Sequence, residues 1–140
     1  MKTNLNPEVD PSQVTVLIVD DIPLNVLLIQ KMLAIFNFNL RTANDGQSAL
    51  DSIAEQRPDL MLLDLMMPGI DGYEVIRRVR ANEETADLPI VILSALNSND
   101  DITKGFNLGA NDFITKPIIM ERLINCVSTQ INEEWTKKHQ

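Results

Sequence analysis

A chain of 140 residues, 44% apolar and 23% charged, has material for one full hydrophobic core and little for two domains. Its formal charge of −8, from 20 acidic against 12 basic side chains, argues against a direct nucleic-acid surface, which would need a basic patch. One cysteine and one histidine exclude a disulfide framework, a cysteine- or histidine-built metal site and a histidine-centred triad.

Residues 1–13 carry Pro7 and Pro11 and few large apolar side chains, and read as a flexible lead-in. They lack the apolar stretch of a secretory signal. No run in the chain approaches the roughly 18 apolar residues that span a bilayer. A cytoplasmic protein without a membrane partner is therefore expected.

Structure begins at Val14. The β-branched run Val14 to Val19 stops at Asp20-Asp21 and reads as a strand buried on both faces, as in a parallel sheet. Pro23 suits the first turn of a helix, and Leu24, Leu27, Leu28, Met32 and Ile35 follow at helical offsets until Asn37 and Asn39 stop it. Leu40 to Ala43 is a weak, polar strand of the kind found at a sheet edge. Gly46 leads into a helix bearing Ala49, Leu50 and Ile53, closed by Pro58. Leu60 to Leu63 is a second strong strand, ending at Asp64; the loop Met67 to Gly72 then precedes a helix carrying Val75, Ile76 and Val79. Pro89 to Leu93 is a third buried strand, ending at Ser94. The next helix starts between Asn97 and Asp100, carries Ile102, Phe106 and Leu108, and ends at Gly109. Phe113 to Thr115 is a short strand running into Lys116-Pro117, and a last helix follows.

Five strands alternating with five helices predict a doubly wound α/β fold: a five-stranded parallel sheet with helices on both faces, occupying residues 14–130. The strand ends then carry the information. Asp20 and Asp21 end the first strand, Asp64 the third, Ser94 the fourth and Lys116 the fifth. Open α/β sheets bind ligands at that edge. Three converging carboxylates repel one another, and a hard divalent cation held by oxygen ligands relieves the repulsion, Mg²⁺ best and Mn²⁺ as a substitute. A carboxylate there can attack phosphorus to form an acyl phosphate, while the metal, the Lys116 ammonium and the Ser94 hydroxyl neutralise the equatorial oxygens.

Taken together, Val19-Asp20-Asp21, the stretch Leu62 to Gly72 around Asp64, Leu93-Ser94-Ala95 and Asp112 to Pro117 resemble the response-regulator receiver domains of two-component signalling. The resemblance covers roughly residues 14–130 and implies the flavodoxin-like strand order 2-1-3-4-5. It also implies that Asp64 is the phosphoacceptor and that Asp21 and Asp64 ligate the metal. Asp20 would do so through water, and the backbone carbonyl of Met66 would complete the set. Lys116 would pair with the phosphoryl group, and Ser94 and Phe113 would be the switch residues that reshape the surface of helix 4, strand 5 and helix 5. Lys116-Pro117 would be joined by a cis bond. The implied partner is a histidine kinase or a histidine phosphotransfer protein, in a two-component system or phosphorelay, and the implied role is regulatory rather than enzymatic.

Three features are individual. Met66 and Leu96, two residues after Asp64 and Ser94, flank the path of the hydrolytic water in that family; both are apolar here, which predicts a long-lived phosphoryl state. Ile119, Leu123, Val127, Ile131 and Trp135 recur every four residues. The segment 131–140 thus extends the last helix or forms a tail, as a homodimer seam, a linker to an output domain, or a cover for the domain's own base. Cys126 reads as a small buried apolar side chain rather than a redox sensor.

Three alternatives compete. An aspartate-nucleophile, Mg²⁺-dependent phosphatase would need a second acid two residues after the nucleophile, where Met66 stands. A flavodoxin-like mononucleotide binder would need a hydroxyl- and glycine-rich loop where the chain has Asp20-Asp21-Ile22-Pro23. A docking-only receiver would not need all the reactive residues, which are present.

Overall fold

Strands that bury both faces must be apolar throughout, and three runs meet that demand. A computed structural model describes residues 3–140; the first two residues of the expected lead-in lie outside the described residues. The strands are β1 (Thr15–Val19), β2 (Asn39–Ala43), β3 (Leu60–Leu63), β4 (Ile90–Ser94) and β5 (Asp112–Thr115). They alternate with α1 (Pro23–Leu33), α2 (Gly46–Glu55), α3 (Gly72–Ala81), α4 (Asn99–Leu108) and α5 (Met120–Lys138). All pairings are parallel, in the order β2-β1-β3-β4-β5, so the expected doubly wound sheet and its strand order hold. β3 and β4 are buried along their whole length, whereas β2, at the edge, is exposed or half-buried except at Ala43.

Because strand side chains alternate, the sheet feeds two cores. Val16, Ile18, Leu60, Leu62, Val91 and Leu93 face a cluster completed by α1 and α5. Leu17, Val19, Met61, Leu63, Ile90 and Ile92 face the other, completed by α2, α3 and Phe113. Short polar side chains start the helices: Asp45, Asp71 and Ser98 accept from the backbone N–H groups of Ser48, Glu74 and Asp101 at 2.7, 2.9 and 3.0 Å. Gly109, at φ 112°, ends α4 in the left-handed region that glycine adopts without steric cost.

Three expectations need correction. The stripe Leu24, Leu27, Leu28 and Ile35 on and after α1 faces solvent, Leu24 at 62% exposure, and the helix is buried instead through Ile29 and Leu33. Apolar residues surround this helix, so spacing alone gave two candidate faces. Phe106 on α4 is likewise exposed. The third correction concerns the lead-in, which is packed over its described part. Val9 is buried, Leu5 leans on the α1/α5 core, and Pro11–Gln13 form a 3-10 turn. Asn132 on α5 grips the segment at both ends of its amide: its Oδ1 accepts the Asn6 N–H at 2.7 Å and its Nδ2 donates to the Asn4 carbonyl at 3.0 Å. Ser128 donates to the Thr3 carbonyl. Ile131 is buried and Trp135 partly so in the same core, so the extra turns of α5 cover the domain's own base.

Candidate functional site

Register decides what meets at the sheet edge. Val19 pairs with Ala43 and Leu63, so the residues following β1 and β3 leave the sheet side by side; the Asp64 N–H donates to the Val19 carbonyl at 2.9 Å. Ser94 pairs with Thr115, and the Lys116 N–H donates to the Ser94 carbonyl at 2.8 Å. One carboxylate oxygen each from Asp20, Asp21 and Asp64 lies within 4.8 Å of the other two. The Lys116 ammonium stands 3.0 Å from Asp20 Oδ2 and 3.5 Å from Asp64 Oδ2, and the Lys116-Pro117 peptide is cis.

Asp20 and Asp64 are buried. Burial pushes the Asp64 carboxyl above its ordinary range. The Lys116 charge and the Met66 N–H, 3.2 Å from Asp64 Oδ1, pull the other way, and the Asp20 charge adds to the rise. Asp20 Oδ1 is held by the Ile22 N–H at 2.9 Å. Asp21 differs: its Oδ1 is buried with no hydrogen-bond partner among the described residues. Three hard oxygen donors and one orphaned carboxylate oxygen fit a divalent cation of the hard class. They do not fit zinc, which favours nitrogen and sulfur ligands.

Ser94 is fully buried, and its Oγ accepts the Leu96 N–H at 3.2 Å. Phe113 is buried beside Gly105 of α4, where an added Cβ would stand 2.7 Å from Ile92 Cδ1 and 3.3 Å from the Phe113 ring. Met66 is exposed to solvent at 58%, whereas Leu96 is partly buried against the core that holds Phe113. Cys126 lies off the site; burial and the Asp112 carboxylate beside it push its thiol up to about 12, which leaves it unreactive.

Asn25 was missed by sequence reasoning. Its Nδ2 lies 3.5 Å from Asp20 Oδ1, and it lines a groove of about 290 Å³ with Leu28, Met32, Lys116 and Pro117. The only signal was its place in the first helical turn after the aspartate pair, which does not say which way a side chain turns.

Comparison with known proteins agrees with this geometry. The family model for the response regulator receiver domain matches residues 16–128. The response regulator PleD of Caulobacter vibrioides is 43% identical over 103 residues, which cover 74% of this chain and 23% of that protein. The receiver domain of a sensor histidine kinase from Pseudomonas aeruginosa, whose structure has a magnesium ion coordinated in the active-site cleft, is 31% identical with a TM-score of 0.78. The match covers 84% of this chain and 97% of that one. The receiver domain of a signal transduction histidine kinase from Syntrophus aciditrophicus is 28% identical with a TM-score of 0.80, covering 86% of this chain and 91% of that one. The chain thus spans about a quarter of the length of the curated relatives it first matches, 23–29%.

Proposed function

This chain belongs to the response regulator receiver family, and from that membership we propose that Asp64 accepts a phosphoryl group from a histidine kinase or histidine phosphotransfer protein. The observation that carries the reading is the convergence of the Asp20, Asp21 and Asp64 carboxylates, with the Lys116 ammonium beside two of them, Asp20 and Asp64. An Asp64 carboxylate oxygen forms the new bond to phosphorus; the phosphorus–nitrogen bond of the donor breaks, and its electron pair stays on the donor imidazole. Lys116 holds a compact positive charge beside one phosphoryl oxygen, and the Ser94 hydroxyl donates to another. Asp20, Asp21 and Asp64, with the Met66 carbonyl, would hold Mg²⁺, with Mn²⁺ as a substitute, and that ion would neutralise charge on the phosphoryl oxygens.

Self-catalysed transfer followed by slow dephosphorylation makes this a switch rather than an enzyme. No polar side chain stands at Met66 or Leu96 to orient a hydrolytic water, and no second acid stands where the phosphatase alternative needs one. Ser94 and the Phe113 ring against Gly105 supply the bistable element, biased toward one packing of α4, β5 and α5 when the phosphoryl group is present. A protein donor is supported by the exposed apolar side chains of α1, Leu24, Leu27 and Leu28, the last of which lines the groove that leads to Lys116. A cytoplasmic setting goes with this reading; among the described residues no helix is long and apolar enough to cross a membrane.

The test is incubation with Mg²⁺ and acetyl phosphate or beryllofluoride, comparing the native chain with Asp64→Asn. An acid-labile phosphate that requires Asp64 is expected. A modification that is acid-stable, or that survives the substitution, places the acceptor elsewhere.

A further inference from the structure

Asp20 is the most deeply buried acid of the site, 1% exposed, and a carboxylate so placed depends on donors for its oxygens. Its Oδ1 accepts the Ile22 N–H at 2.9 Å, and its Oδ2 accepts the Lys116 ammonium at 3.0 Å. Lys116 stands farther from Asp64, at 3.5 Å. In the resting chain the lysine is therefore held chiefly by Asp20, although the reaction needs its charge on a phosphoryl group at Asp64. Once Lys116 turns to that group, Asp20 Oδ2 loses its charged donor, and Oδ1 carries the whole hold on this buried side chain.

One further donor stands within reach. Asn25 Nδ2 lies 3.5 Å from Asp20 Oδ1, beyond the common N–H···O length of about 2.9 Å, so the contact has room to shorten. The Asn25 side chain is half-buried and makes no other hydrogen bond among the described residues. Asparagine side chains commonly bond the nearby backbone, yet the start of α1 has no side-chain cap. Every other residue from Pro23 to Ile29 is apolar. The one amide on this stretch faces Asp20 instead, and it lines a groove with Lys116 and Pro117.

We infer that Asn25 is a positioning residue for phosphoryl transfer: its amide closes onto Asp20 as Lys116 turns to the phosphoryl group, and so holds that buried carboxylate in the phosphorylated state. The inference rests on the phosphoacceptor reading of Asp64. A neutral amide suits the task. It supplies a hydrogen bond without a charge that would compete with Lys116 for phosphoryl oxygens or repel a cation among the three carboxylates. Asn25 touches no reacting atom and acts through Asp20 and Lys116.

The probe is beryllofluoride, which occupies an aspartate as a phosphoryl group does. The full native chain, saturated with Mg²⁺, is titrated with it while the Asn25 side-chain amide, assigned through its own backbone, is followed by NMR. A downfield proton shift and slower amide exchange are expected on complex formation. Asn25→Leu keeps a similar volume on an apolar helix face and removes the donor. It should weaken the beryllofluoride Kd at least roughly fivefold, the scale of one hydrogen bond, and by more than it weakens the Mg²⁺ Kd measured without beryllofluoride by calorimetry. An Asn25 amide that does not respond, a smaller loss, or an equal loss for Mg²⁺ alone would overturn the inference. A native chain that takes no beryllofluoride at Asp64 removes the phosphoacceptor reading itself, whereas native uptake with an unresponsive Asn25 removes this inference alone.

Discussion

Asp64→Asn should stabilise the protein when divalent metal is withheld, although it destroys the acceptor. The native cluster holds three carboxylates whose oxygens lie within 4.8 Å of one another. At that distance and an effective dielectric constant of about 20, each repulsion involving Asp64 costs about 3.5 kcal/mol. Against the two repulsions stands one attraction, to Lys116 at 3.5 Å, which on the same footing contributes about 4.7 kcal/mol. Removing the charge therefore favours the fold by about 2 kcal/mol, a rise in Tm of roughly 5–10 °C for a domain of this size. The raised Asp64 pKa fixes the pH window. A carboxyl that binds its proton more tightly when folded contributes most below its unfolded value of 3.8, and the contribution fades as pH rises through the raised folded value. The gap between variant and native should thus be small at pH 4, widen above it and level off near neutrality. Thermal melts followed by circular dichroism in EDTA, at stepped pH, measure it. Millimolar Mg²⁺ should reverse the order, since a cation that binds only the folded state stabilises by mass action and the variant has lost a ligand. A variant that melts at or below the native chain in EDTA at pH 7, or a gap independent of pH, refutes the electrostatic account.

Gly105→Ala puts a Cβ 2.7 Å from Ile92 Cδ1; a loss of about 1–3 kcal/mol in urea unfolding, with the Phe113 environment altered by NMR, is the expected outcome. Leu24→Asp and Leu28→Asp change exposed positions, so the melting curve should hold within about 0.5 kcal/mol. Transfer from a cognate phosphohistidine donor should slow by tenfold or more while labelling by acetyl phosphate is unchanged; equal slowing of both would remove α1 from donor recognition. With Met66 exposed and apolar beside Asp64, the phosphoryl half-life should be on the order of minutes or longer, as expected where no polar group positions a water. Met66→Asn should shorten it, and a native half-life of seconds would show that another group positions the water.

Much was legible in the sequence because a parallel sheet writes itself plainly. Strands such as Leu60 to Leu63, buried on both faces, must be continuous apolar runs, and each ends where the chain leaves the core and polar residues become tolerable. Asp20, Asp21, Asp64 and Lys116 sit at or just past those ends, so a pattern of runs and stops was enough to predict their convergence. The N-caps Asp45, Asp71 and Ser98 went unread, although each acts within one helical turn of the start it fixes. What only the tertiary structure decided depends on which surface a helix turns inward. α1 has apolar side chains all round, and its choice of Ile29 and Leu33 over Leu24, Leu27 and Leu28 is made by the neighbouring sheet and α5, not by its own periodicity. The approach of Asn25 to Asp20 follows from that rotation. The lead-in is similar: nothing local in residues 3–13 demands order, but Ser128 and Asn132, more than 120 positions away, supply the donors and acceptors that hold it. Contacts between residues so distant along the chain leave no local spacing to read, so the base of the domain became visible only once the fold had brought them together.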